Sequence, residues 1–188
     1  MDDQPHIRVE FVSDPIYLSG ARELVAAVAK RLGFDDLQCS KISLAVDEAL
    51  CNVIRHGYDR ATDRPIWLDI WPIVDRSDIS IASPPGEMPA GSIVGLRLRI
   101  EDEARQVDPD SMRGRDLGDI KPGGLGVHII REVMDDVRYE RREGEGKGMR
   151  LTMLKYLSEA RSHRSEDGAA RGSGSSSHSA SSACTGGH

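Results

Sequence analysis

The chain has 188 residues, with 25 basic against 31 acidic and a formal net charge of -6 at pH 7. That balance, with no long Lys/Arg run, argues against nucleic acid as the main partner, and no stretch approaches the roughly 18 apolar residues of a membrane span. Cys39, Cys51 and Cys184 have no metal-ligand spacing and form no even set, and the acidic opening MDDQPHIRVE does not read as a signal peptide, so reduced thiols in the cytoplasm are expected.

Residues 6–12 (HIRVEFV) alternate apolar and polar at Ile7, Val9 and Phe11 and predict a first strand. Ser13-Asp14-Pro15 gives a stop and an N-cap, with Pro early in the next element. Residues 17–32 carry Leu18, Ala21, Leu24, Val25, Val28 and Leu32 at helical spacing, and Gly33 ends that helix. Asp35 and Asp36 open a second helix at the favoured acidic end of its dipole. It continues through residues 41–58, KISLAVDEALCNVIRHGY, where Ile42, Val46, Ala49 and Val53 form an apolar stripe widened by Leu50 and Ile54.

Residues 65–72 (PIWLDIWP) predict a strand, with Ile66, Leu68 and Ile70 against Trp67, Asp69 and Trp71; the tryptophans read as a covered second face. Residues 78–82 fit a short strand and 83–91 (SPPGEMPAG) a loop. Residues 94–101 (VGLRLRIE) predict a strand with Leu96, Leu98 and Ile100 on one face. The polar stretch 102–122 has a length usual for functional or disordered loops. A helix is expected after Gly123-Gly124-Leu125-Gly126, carrying Val127, Ile129, Ile130, Val133 and Met134. Residues 136–141 and 149–156 predict two strands, joined as an antiparallel hairpin by GEGKG. From Ser158 onward Ser, Gly and Ala prevail, with almost no large apolar residue, so a disordered tail is expected over 158–188 after one domain over 1–157.

Three features carry candidate chemistry. Glu48, Asn52 and His56 lie at i, i+4 and i+8 and project from roughly one side of the long helix. An amide oxygen suits Mg2+ that also takes phosphate oxygens and waters, and a carboxylate one turn away can take a proton from an attacking hydroxyl. The same spacing also fits a solvated helix edge. Asp102 succeeds a strand and opens the long loop, a place from which to accept from a purine amino group, although a turn aspartate would read alike and Glu101 and Glu103 flank it. Third, residues 121–130 (KPGGLGVHII) set glycines before a helix, where backbone N–H groups can face an anion. The pattern is neither a P-loop nor a dinucleotide fingerprint. Lys121 either adds charge there or is solvated, and His128, inside an apolar run, is expected as a packed core histidine.

The order of these features resembles the Bergerat ATP-binding (GHKL) superfamily, and within it the free-standing anti-sigma-factor serine/threonine kinases of bacterial partner switching. DEALCNVIRHGY resembles their N-box, VDPDSM the end of the first glycine box, GGLGVHIIREVMDDVRYE the second box and its succeeding strand, and GKGMRLTMLKYL the closing strand. The likeness runs from residue 5 to 157. It implies an α/β two-layer sandwich, with a mixed, mostly antiparallel sheet and helices on one face. It also implies ATP and Mg2+ between the long helix and a lid loop, and transfer of the γ-phosphate to a serine of an antagonist protein. A sigma factor would be bound in alternation, and homodimers are common in such proteins.

Carried to this sequence, the resemblance implies Glu48 as general base, Asn52 as Mg2+ ligand and Asp102 as partner of the adenine amino group. It implies Gly124, Leu125 and Gly126 as backbone donors to the phosphates, Gly123 at the lid hinge, Thr152 near the base and a structural His56. One departure stands out: where that family has D-x-G-x-G, this chain has Asp102-Glu103-Ala104-Arg105-Gln106. A methyl at Ala104 penalises any positive φ, and Gln106 is a larger change. The departure raises a second expectation, of a domain that keeps the fold, binds nucleotide weakly or not at all, and works by protein contact.

Overall fold

The computed structural model describes residues 4–74, 93–108, 125–144 and 147–158. The readings at 78–82 and 83–91, most of the polar stretch, Lys121, Gly123, Gly124 and the tail beyond Ser158 lie outside those residues. Strand β1 covers Ile7–Val12 and leads into a 3-10 turn, Pro15–Tyr17, capped by Asp14 accepting from the Ile16 N–H. Helix α1 (Leu18–Arg31) ends as Gly33 turns left-handed at φ 102°, a conformation that costs glycine little. Helix α2 (Asp36–Asn52) begins with a reciprocal cap: Asp35 accepts from the Gln38 N–H at 2.7 Å, and Gln38 accepts from the Asp35 N–H at 3.1 Å. Such a box satisfies two of the helix's orphan donors.

The regular helix stops at Asn52, earlier than its hydrophobic period suggests. A π turn, Val53–Gly57, widens the last coil and sends His56 to the surface, out of line with Glu48 and Asn52. Asp59 and Arg60 then sit in the left-handed region at φ 50° and 66°, a strain of about 1 kcal/mol or more apiece that surrounding contacts must hold.

Strands β2 (Pro65–Val74), β3 (Ile93–Asp102), β4 (Asp136–Arg141) and β5 (Met149–Tyr156) join β1 in one sheet of order β1-β2-β3-β5-β4. All four pairings among the described residues are antiparallel, so the parallel component expected of a mixed sheet is not found there. Helix α3 (Leu125–Val133) lies between β3 and β4 in the chain.

Alternation divides the sheet. Ile66, Leu68, Ile70, Leu96, Leu98, Ile100, Leu151 and Met153 face the helices and pack with Val25, Ile42, Val46, Leu50 and Ile130. Each such side chain contributes roughly 1.5–3 kcal/mol when fully buried. The other face carries Trp67, Asp69 and Trp71. Arg97 and Arg99 lie over the Trp71 ring at 3.8 and 4.7 Å from its centroid, in keeping with a covered second face. Asp69 is fully buried there, and Arg99 donates to its Oδ2 from Nε at 3.1 Å and Nη2 at 2.8 Å. The protein is thus a two-layer α/β sandwich with helices on one face.

Candidate functional site

Helix α2 places Glu48 and Asn52 one turn apart near its C-terminal end, both half-buried. Over them lies the start of α3. A Cβ on Gly126 would stand 2.6 Å from Glu48 Oε2 and 3.5 Å from Asn52 Nδ2, so glycine lets the α3 backbone come this close while the Glu48 carboxylate keeps its position. The first-turn N–H groups of a helix have no intrahelical partners, and here they open beside a carboxylate and an amide. Asn52 Nδ2 is buried with no hydrogen-bond partner among the described residues. Buried polar atoms are rarely left so; this one is placed to donate to an incoming oxygen.

The far end of α3 is fastened. Lys155 Nζ donates to the Val133 carbonyl at 2.6 Å and pairs with Asp135 Oδ1 at 3.3 Å, while Asp135 Oδ2 accepts from the Tyr156 N–H at 2.8 Å. The helix is therefore pinned by its C-terminal end, with its glycine end over α2.

Asp102 closes β3 on the helix-facing side, opposite Ile66. Its Oδ1 accepts from the Ala104 N–H at 2.8 Å and the Met149 N–H at 3.1 Å. Burial pushes its carboxyl up from the ordinary value, although those two N–H groups pull the other way. A carboxylate in this state is held in place and poorly solvated, which suits recognition of one donor. The segment after it passes close to the π turn that follows α2: a Cβ on Gly57 would meet the Ala104 methyl at 2.9 Å. Ala104 is buried and is not among the residues of positive φ, so its methyl brings no backbone strain. Gln106 is also engaged, its Nε2 donating to the Arg142 carbonyl at 2.7 Å and the Gly148 carbonyl at 3.2 Å.

Glu48, Asn52 and Gly126 are thus brought together, and Asp102 stands on the same side of the sheet. Leu125 is exposed at the α3 start. Thr152 is not brought to Asp102. Its neighbours Leu151 and Met153 face the helices, so β5 alternation turns Thr152 to the other face, beside Arg99 and Arg138. Met149, three residues earlier, meets Asp102 instead. His128 is no core histidine: its side chain is 45% exposed and lies 3.6 Å from Glu132, because it projects from the outer side of α3. Sequence reasoning missed Tyr58 and Gly148. Tyr58 Oη donates to the Pro65 carbonyl and accepts from the Glu103 N–H, both at 2.6 Å. A Cβ on Gly148 would lie 1.9 Å from the Asp102 carbonyl oxygen, and its place directly before β5 was the available signal.

Among the described residues no group of three or more His, Cys, Asp or Glu side chains is arranged to hold a metal ion, and no helix there is long and apolar enough to cross a membrane. An ion at Asn52 would be held through the amide oxygen and share its coordination with phosphate oxygens and water, while the unpartnered Nδ2 could donate to one of those oxygens.

Residues 11–155 match the profile of the histidine kinase-like ATPase domain. The chain is 25% identical over 153 residues to the Serine-protein kinase RsbW of Listeria monocytogenes serotype 4a (strain HCC23), covering 81% of this chain and 88% of that protein. It is 26% identical over 159 residues to the protein of that name from Oceanobacillus iheyensis, covering 85% and 91%. For Bacillus subtilis (strain 168) the identity is 24% over 161 residues, covering 81% and 86%. With its two-layer sandwich and the glycine entry of α3 set over Glu48 and Asn52, the chain belongs to the histidine kinase-like ATPase family.

Proposed function

We propose that the protein is a serine/threonine protein kinase of the anti-sigma-factor type, using Mg-ATP to phosphorylate an antagonist protein and holding a sigma factor in alternation. The observation that carries this reading is the seat of Gly126 on Glu48 and Asn52, with a buried, unpartnered amide nitrogen beside it. The RsbW relatives, named as serine-protein kinases, support it along most of the chain.

In this reading the Asn52 amide oxygen would be one ligand of Mg2+, which would supply charge neutralisation at the nucleotide phosphates. Leu125 and Gly126, with Gly124 before them, offer backbone N–H groups to the phosphate oxygens, and Gly123 serves as the lid hinge. Asp102 accepts from the adenine amino group. The Glu48 carboxylate takes the proton of the acceptor serine as its Oγ bonds to the γ-phosphorus, and the bond from that phosphorus to the ADP oxygen breaks. Little covalent work falls to the protein; positioning and charge compensation dominate.

A second reading, a protein-contact module with little nucleotide affinity, is favoured by the loss of both glycines at positions 104 and 106. Two facts weigh against it: Ala104 fits without positive φ, and the Gln106 amide is bound to hairpin carbonyls. The test is single-turnover transfer from γ-labelled ATP to the small proteins encoded beside this gene. Glu48→Gln should retain ATP binding and lower transfer by about 100-fold or more. Equal rates in the variant and wild type would remove Glu48 from the chemistry, and a wild type that shows no Mg2+-dependent nucleotide binding would favour the second reading.

A further inference from the structure

Residues 102–107, at the end of β3 and just beyond it, are tied down from outside at both ends. At the β3 end, Tyr58 Oη accepts the Glu103 N–H and donates to the Pro65 carbonyl, each at 2.6 Å. Arg142 Nη1 donates to the Asp102 carbonyl at 2.6 Å. At the other end, Gln106 Nε2 spans to the Arg142 and Gly148 carbonyls, and Arg141 Nε reaches the Val107 carbonyl at 3.1 Å. We infer that Tyr58 and Gln106 are positioning residues that set selectivity for an adenine base by fixing the direction of Asp102.

The inference rests on the reading of Asp102 as acceptor of the adenine amino group. One carboxylate oxygen, Oδ1, is already committed to the Ala104 and Met149 N–H groups. Recognition then falls to the other oxygen, whose lone pairs must point along the approach of the amino hydrogen; hydrogen bonds weaken steeply with misalignment. Both committed N–H groups belong to the strap and the hairpin, the two segments that Gln106 joins. Tyr58 fastens the strap to the start of β2, and its neighbour Gly57, in the π turn after α2, lies close to Ala104. Tyr58 serves as donor and acceptor at once, and a phenylalanine would leave the Glu103 N–H and the Pro65 carbonyl without it. Burial holds the phenol protonated, its pKa pushed up to about 12, so the donor persists across the physiological pH range. Gln106 stands where a glycine would leave the segment free, and its side chain bonds residues 36 and 42 positions away.

The test is calorimetric binding of Mg-ADP and Mg-IDP to the full chain. The hypoxanthine of IDP carries an oxygen where adenine carries the amino group, so the ratio of the two affinities reads the Asp102 contact. Wild type should prefer ADP by about 10-fold or more. Tyr58→Phe and Gln106→Ala should each cut that ratio by about 3-fold or more while IDP affinity changes less than about 2-fold. Gln106→Glu, which keeps the length but cannot donate to carbonyls, should behave as Gln106→Ala. Should Tyr58→Phe fold poorly, the half-exposed Gln106 variants decide. An unchanged ratio in variants that bind would overturn the proposal, as would an equal loss for both nucleotides, the mark of a merely structural role. A wild type that binds ADP without preference over IDP would overturn it through Asp102. A wild type that binds neither would reject the kinase reading itself, and this proposal with it, before any variant is compared.

Discussion

Where α3 crosses α2, bare backbone at Gly126 lies over Glu48 and over an Asn52 amide whose nitrogen is buried and unpartnered among the described residues. Where the strap 102–107 crosses the β4–β5 hairpin, the Asp102 carbonyl, Asp102 Oδ1 and the Arg142 and Gly148 carbonyls each already accept a hydrogen bond. Both regions have a glycine at a close approach, yet they use it differently. Gly126 makes room beside the ends of flexible side chains, and Gly148 makes room for backbone against backbone. One end of the site keeps open valence for a ligand. The other spends its valence on holding a shape, which is what preorganised recognition requires.

Substituting the two glycines should separate these roles. Gly148→Ala would drive a methyl to within 1.9 Å of the Asp102 carbonyl oxygen and 2.8 Å of the Glu103 Cα. Neither atom can move without shifting β3 or β5. A loss of about 3 kcal/mol in urea unfolding is expected, and unaltered stability would mean that the strap does not pack as described. Asp102→Asn probes the same end without crowding it. The amide oxygen can still accept both N–H groups, but the atom facing the nucleotide becomes a donor. ADP affinity should fall about 10-fold or more, with the fold intact.

That variant also has a pH signature. Burial raises the Asp102 carboxyl in the folded protein, so its native-state contribution is favourable when it is protonated, below the unfolded-state value, and is lost as pH rises through the folded one. The melting midpoint of Asp102→Asn should therefore gain on wild type between acid and neutral pH; a gain in the opposite direction would show that the charged form is the stabilised one.

Gly126→Ala should be the mildest of the three in the fold. Its methyl meets a carboxylate oxygen that can rotate, so stability should change by less than about 1 kcal/mol. ATP binding should weaken several-fold, as Glu48 and Asn52 are displaced from the α3 entry; equal losses of stability in Gly126→Ala and Gly148→Ala would erase the distinction between the two ends.

Much of this was readable from residues alone. The β4 and β5 bounds come from alternation either side of a glycine-rich link, and α1 and α2 from helical period with a glycine stop and an acidic cap. Glu48, Asn52 and the glycine entry were legible as candidates, because residue type and order carry the pattern. The π turn was not: the residues at its end, Gly57 and Tyr58, meet Ala104 and Glu103, contacts between segments distant in the chain. Gln106 was visible only as a departure; what its amide binds is a tertiary fact. The placing of Thr152 near the base was correctable from the sequence, because Leu151 and Met153 fix the phase of β5 and turn it to the other face.

Asn52 is the pivot of the proposed chemistry, because its amide nitrogen is buried and unpartnered among the described residues. The most direct measurement is calorimetric titration of ATP with and without Mg2+ into wild type and Asn52→Ala. Mg2+ should tighten binding to wild type by about 10-fold or more, and that gain should vanish in the variant while its melting midpoint holds. An equal Mg2+ effect in both proteins, or no Mg2+-dependent binding to wild type, would contradict that role for Asn52.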